Sequence, residues 1–151
     1  YRVDRPEKLV KTFVEVRMRR QELLLSQSNP PLLFFILDES VIRRLIGDES
    51  VRQGQLEKLI SMANRPEVTI EVIPFSSGLH RGMAENFSIL EFGESADNDV
   101  LYFESARDAL FSHDATEEIT SYRELFEDLR RASLGPKGTI GYLSEVADTI
   151  H

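Results

Sequence analysis

Two apolar runs with a helical stretch between them constrain this chain more than any other feature. Leu32 to Leu37 (LLFFIL) is unbroken and of strand length, as expected of a strand buried on both faces. From Val68 to Ile73, Val68, Ile70 and Val72 alternate with Thr69 and Glu71, the period of a strand with one face more buried than the other. Between the runs, Leu56, Leu59, Ile60 and Ala63 recur at helical spacing. Ser50-Val51-Arg52-Gln53 reads as the capping box that opens this helix, and Asn64-Arg65-Pro66 ends it. Strand-helix-strand passages join parallel strands by a right-handed crossover. The two runs are therefore expected to be parallel, directly or with another strand between.

The remaining elements follow from the same periodicities. Asp4-Arg5-Pro6-Glu7 opens an N-terminal helix whose inner face is Leu9, Phe13, Val16, Arg20 and Leu23 or Leu24. Arg20 on that face either lays its stem over apolar surface or meets a carboxylate inside the fold, and Glu39 is the candidate partner for Arg20 or Arg17. Asp38 is placed to cap a short helix with Val41, Ile42 and Leu45, ended by Gly47. Phe87 to Phe92 reads as a strand apolar on both faces, as a central strand is, with Asp99 to Glu104 antiparallel to it and Ala109 to Phe111 a short edge strand. Asp114 to Glu117 caps a long helix with Ile119, Tyr122, Phe126 and Leu129 on one stripe. A final helix after Gly135-Pro136 carries Ile140, Leu143, Ala147 and Ile150. The expected fold is mixed α/β (α+β): a central mixed sheet of four to five strands flanked by helices, with helical N- and C-terminal segments, in one domain over 1–151.

With 41% hydrophobic and 29% charged residues, including 9 Phe and 4 Tyr, the chain can bury an ordinary core, so disorder is excluded as its main state. No run approaches the ~20 consecutive apolar residues that span a bilayer. A cytoplasmic protein without a membrane partner is expected. The absence of cysteine rules out disulfides and thiolate chemistry. A formal charge of −8 argues against this chain gripping a phosphate backbone by itself. Because the chain starts at Tyr1 with no initiator methionine, it is expected to be a piece of a longer protein.

Between the Val68 and Phe87 strands, Pro74-Phe75-Ser76-Ser77-Gly78-Leu79-His80-Arg81-Gly82 is too long for a tight hairpin and too apolar for a linker. Chemical signatures are missing from it. His80, His113 and His151 form no H-x-x-x-H or H-E-x-x-H pattern, and no metal or cofactor is expected. Ser76 and Ser77 lack a G-x-S-x-G elbow. Gly78 and Gly82 fit neither the phosphate-loop nor the dinucleotide pattern. His80-Arg81 before a strand resembles phospholipase D-type phosphodiesterases, but their lysine and spaced aspartate are missing.

Across nearly the whole chain, the ordered motifs resemble one family. They are Arg17-x-x-Arg20-Gln21-x-x-Leu24; Leu37-Asp38-Glu39-Ser40-x-Ile42-Arg43-Arg44; Gln55-Leu56-x-x-Leu59; and Pro66-x-Val68-x-Ile70-x-Val72-Ile73-Pro74-Phe75. They continue with Gly78-x-His80-x-Gly82, Phe87-x-x-Leu90-x-Phe92, Asp99-Val100-x-Tyr102-x-Glu104 and Tyr122-Arg123-x-x-Phe126-x-x-Leu129. The family is an actinobacterial domain of unknown function that follows an Xre-type helix-turn-helix in transcription regulators of Streptomyces and relatives. The resemblance implies a non-enzymatic regulatory domain. DNA is then held only by a helix-turn-helix upstream, a small partner protein is encoded nearby, and the regulator is a homodimer. Phe75, Gly78, His80, Arg81 and Gly82 are the expected ligand- or partner-binding residues, with Arg20, Glu39, Arg43 and Glu104 as a polar cluster beside them. No catalytic residue is assigned. The alternative is a hydrolase or phosphodiesterase, degenerate in its motif, using His80 with a carboxylate such as Glu104 or Asp38.

Overall fold

The computed structural model describes residues 7–44, 47–93, 99–104, 109–112 and 116–149. In chain order the elements are α1 (Glu7–Leu25), β1 (Leu33–Asp38), α2 (Glu39–Arg43), α3 (Glu49–Ala63), β2 (Val68–Ile73), β3 (Phe87–Leu90), β4 (Val100–Glu104), β5 (Ala109–Ser112), α4 (Thr116–Ala132) and α5 (Gly135–Asp148). Two single turns of 3-10 helix, Phe75–Ser77 and Arg81–Met83, lie between β2 and β3.

β1 and β2 are adjacent and parallel, with Leu33 opposite Val68 and Asp38 opposite Ile73, as the crossover argument expects. β3, β4 and β5 form an antiparallel sheet with β4 in the middle. The single central sheet of four to five strands is therefore a misreading: the described residues hold a two-stranded parallel sheet and a separate three-stranded antiparallel one. The physical reason lies at Val72. Its carbonyl accepts from Leu134 N at 2.9 Å and its N–H donates to Thr139 Oγ1 at 2.9 Å, so the α4–α5 junction occupies the sheet edge where a further strand would pair.

The parallel pair is the filling of a three-layer sandwich. On one face Val72 and Leu37 pack with Ile42 of α2, Leu56 of α3, and Leu143 and Val146 of α5. On the other, Ile73 and Ile36 pack with Leu125 and Leu129 of α4. β2 does not alternate as its sequence suggests, because Glu71 is buried under α4. Its carboxylate accepts from Ser133 Oγ and lies 3.8 Å from Arg130 Nε, so the buried charge is met. α4 also carries the second sheet, with the Tyr122 ring edge-on to Phe87 and Phe103 at 4.9 and 5.1 Å. β3 is an edge strand with Ser88 and Leu90 exposed, not the doubly buried central strand expected.

Three further local readings are corrected or completed. The cap of α3 is Asp48, which accepts from Val51 N at 2.9 Å, and not the Ser50 box. Gly135, at φ 67°, begins α5, and Thr139, Leu143 and Val146 are its buried side. The expected caps at Asp4 and Asp114 lie outside the described residues. α1 departs most. It forms as expected, but its apolar residues are not buried in the core: Leu9, Val10, Phe13, Val14, Val16, Met18 and Leu23 are 43–60% exposed.

Candidate functional site

β1 and β2 end side by side, and the chain leaves both at the same rim. At that rim Asp38 and Glu39, neighbours in sequence, serve different faces. Asp38 caps α2 by accepting from Ser40 N at 2.8 Å, as its position at a strand-helix junction suggests. Its second oxygen lies 3.1 Å from His80 Nε2. Glu39 is buried and accepts from three donors: Phe75 N at 2.7 Å, Tyr142 OH at 2.9 Å and Arg43 Nε at 3.1 Å. The Arg43 guanidinium also lies 5.5 Å from the centre of the Tyr142 ring.

These contacts set the charge of the rim. Burial pulls the Asp38 carboxyl upward, but the Ser40 and His80 hydrogen bonds outweigh it and hold the group below the ordinary aspartate value. Glu39 behaves alike: burial opposes ionisation, and the Phe75, Tyr142 and Arg43 donors together win, holding it below the usual glutamate value. Tyr142 moves the other way, raised by its burial and then by donating to Glu39.

The effect is to pin the loop from Pro74 to Asn86 along its length. Glu39 holds its start and Asp38 its middle, while Ser77 Oγ donates to the Ala132 carbonyl at 2.8 Å. Near its end Tyr122 OH donates to Glu85, a bond that pushes the phenol up to about 12. Gly78 sits at φ 72°, ψ −154°, a conformation essentially reserved for glycine. Gly82 is flush against α4: a Cβ there would fall 2.8 Å from Leu129 Cδ1 and 3.3 Å from His80 Nδ1. While its base is tied, the loop's outer side is bare, with Phe75 59%, Leu79 93% and Met83 58% exposed and Arg81 beside them.

Of the residues expected from sequence, Phe75, Gly78, His80, Arg81 and Gly82 all lie in this loop, but with divided roles. His80 faces inward and anchors, whereas Phe75 and Arg81 face outward. Of the four-membered polar cluster, the described residues join Glu39 and Arg43. Arg20 is exposed on α1, so Glu39 finds its arginine four residues along α2 instead of on the first helix. The Glu104 side chain lies outside the described residues. Tyr142, 103 residues from Glu39, was missed because no local pattern announces a pairing that distant. Leu79 and Met83 were missed as well, although two apolar residues flanking a loop histidine were a usable signal.

His80 Nδ1 is buried without a hydrogen-bond partner. A carboxylate oxygen only accepts, so Nε2 is the nitrogen that donates to Asp38, and Nδ1 lies where a Cβ on Gly82 would come within 3.3 Å of it. Among the described residues no group of three His, Cys, Asp or Glu side chains could hold a metal ion, and no helix is long and apolar enough to cross a membrane. A surface hollow of about 330 Å³ on α4, lined by Glu117, Thr120, Ser121 and Glu124, shares no residue with this rim.

No curated protein and no solved structure matches the chain. A family model does, over residues 2–145, and on that extent the chain belongs to DUF5753, a domain of unknown function.

Proposed function

We propose that this chain is the regulatory, partner-binding part of an actinobacterial Xre-type helix-turn-helix transcription regulator, acting in the cytoplasm and not as an enzyme. The supporting observation is the division of the 74–86 loop into a tied inner side and a bare outer one, with Phe75, Leu79 and Met83 presented around Arg81. Apolar tips on a rigid loop bind without a large ordering cost, which suits recognition of another protein. In this reading the upstream helix-turn-helix holds DNA, the small protein encoded nearby binds the loop, and binding favours one arrangement of the homodimer over another. The test is a promoter-reporter assay in the native host with Leu79→Ser/Met83→Ser. These side chains are exposed, so the purified variant should melt within about 2 °C of wild type. Regulation and co-purification of the small protein should both be lost. Full regulation by the folded variant overturns the reading.

The hydrolase reading keeps one observation in its favour, the 3.1 Å contact of His80 with a carboxylate. It ranks second because the nitrogen that would act as base is sealed. Turnover of bis(p-nitrophenyl) phosphate, abolished by His80→Ala, would reverse the order.

A further inference from the structure

The loop is not the only bare surface, and α1 presents the larger one. Its Leu9, Phe13, Val16, Arg20 and Leu23 follow each other at steps of four, three, four and three, the seam of a helix that pairs with another helix. Val10, Val14 and Met18 make a second exposed row beside it. A patch of this extent on a helix about 28 Å long is far more than a scatter of surface apolar residues. Arg65 Nη2 reaches the Leu25 carbonyl at 3.5 Å, but that contact is at the helix's last turn and covers none of the seam.

Charge identifies the occupant. α1 carries Lys8, Lys11, Arg17, Arg19 and Arg20 against Glu7, Glu15 and Glu22, so it is net positive in a chain of formal charge −8. Glu22 is already shared with Arg19 at 3.5 Å. Arg20 sits in the seam itself and has no ion-pair partner among the described residues. A polar residue at one seam layer selects its partner, and a cation there calls for a carboxylate across from it. A second α1 sets none at the seam layer facing Arg20: parallel pairing puts Arg20 against Arg20, and antiparallel pairing about Val16 puts Phe13 there, with Glu7 and Glu15 off the seam. α3, α4 and α5 turn their apolar stripes into the core and offer none to a second copy. An anionic lipid surface is disfavoured by the charge of −8 that would approach with the helix.

We propose that α1 is the docking strip for an acidic amphipathic helix of a different protein, which lays an apolar seam along Leu9, Phe13, Val16 and Leu23 and sets a carboxylate opposite Arg20. This face is separate from the 74–86 loop, and the proposal stands whether or not that loop regulates transcription.

The experiment uses the whole chain and a synthetic peptide of three heptads with leucine at the seam, glutamate on its flanks and one glutamate at the layer facing Arg20. Binding is read by fluorescence anisotropy. Wild type should bind this peptide and not a scrambled one. Arg20→Glu, at an exposed position, should keep the circular dichroism of wild type and weaken binding roughly tenfold or more. A peptide with lysine at the facing layer should bind Arg20→Glu better than wild type. The proposal is overturned if the acidic peptide does not bind, or if Arg20→Glu leaves its affinity unchanged. It is overturned equally if light scattering finds a dimer that Val16→Glu dissociates, or if α1 binds phosphatidylserine vesicles in place of the peptide.

Discussion

α1 and α4 are helices of 19 and 17 residues, and although α1 is the richer in apolar residues, it is α4 that is covered. On α4, Ile119, Tyr122, Leu125, Leu129 and Ala132 gather on one stripe, and the parallel strands, the loop and the second sheet all close on it. On α1 the apolar residues spread over two rows, broken by Arg17 and Arg20, and they remain exposed. An apolar stripe says that a helix needs covering. It does not say whether the cover comes from the same chain. For α4 the cover follows from topology, because β1 and β2 need a layer on each face; nothing in the sheet needs α1.

The sharpest way to break this comparison is a matched pair of truncations. Leu125→Ala should cost about 2–5 kcal/mol in urea unfolding, the range for emptying a packed leucine site. Val16→Ala should stay within about 0.5 kcal/mol, as an exposed site does. Equal losses would mean that α1 is held by the body of the chain after all.

The loop that α4 backs offers the next test. A Cβ on Gly78 would meet nothing within 4 Å, so Gly78→Ala isolates backbone strain at φ 72°, ψ −154° and should cost about 1–3 kcal/mol. Gly54, in the middle of α3 and equally open, should gain about 0.5–1 kcal/mol as alanine. If both changes had the same sign, the loop's conformation would not be fixed as described.

Acid should separate the two regions as well. Asp38 and Glu39 have folded pKa values below their ordinary ones, so their stabilisation is complete above the unfolded values near about 4 and is lost as pH falls through the lower folded values. Glu39→Gln, which keeps the shape but loses the charge facing Phe75 N, Tyr142 OH and Arg43, should cost about 1 kcal/mol at pH 7. The gap from wild type should shrink steadily below about pH 4. A gap that held constant down to pH 2 would show that the Glu39 charge contributes nothing.

What could be read from sequence divides along the same line. The parallel β1–β2 pair, the Asp38 cap and the antiparallel β3–β4 pairing are set by period and by nearest neighbours, and all are found. The loop itself was legible, but its division was not: His80 turns inward to Asp38, whereas Phe75 and Arg81 stay exposed. What could not be read are the pairings between residues far apart in the chain. Val72 with Thr139, Glu39 with Tyr142 and Glu71 with Ser133 depend on where α4 and α5 settle, and no local pattern records that. The first of these pairings is what divided the expected single sheet in two.

The smallest expected effect concerns two arginines that sequence placed in one cluster. Arg43 donates to Glu39 and lies over Tyr142, but its side chain is 48% exposed, so solvent screens the pair and Arg43→Ala should cost no more than about 1 kcal/mol. Arg20→Ala should leave stability unchanged within about 0.5 kcal/mol, since Arg20 is exposed and has no ion-pair partner among the described residues. Doubling salt concentration should narrow the Arg43 difference and leave the Arg20 one where it is, because only the first is a screened attraction. If Arg20→Ala instead proved the costlier change in dilute protein, α1 would lie against a carboxylate of its own chain. The contrast between a covered α4 and a bare α1 would then fail at its root.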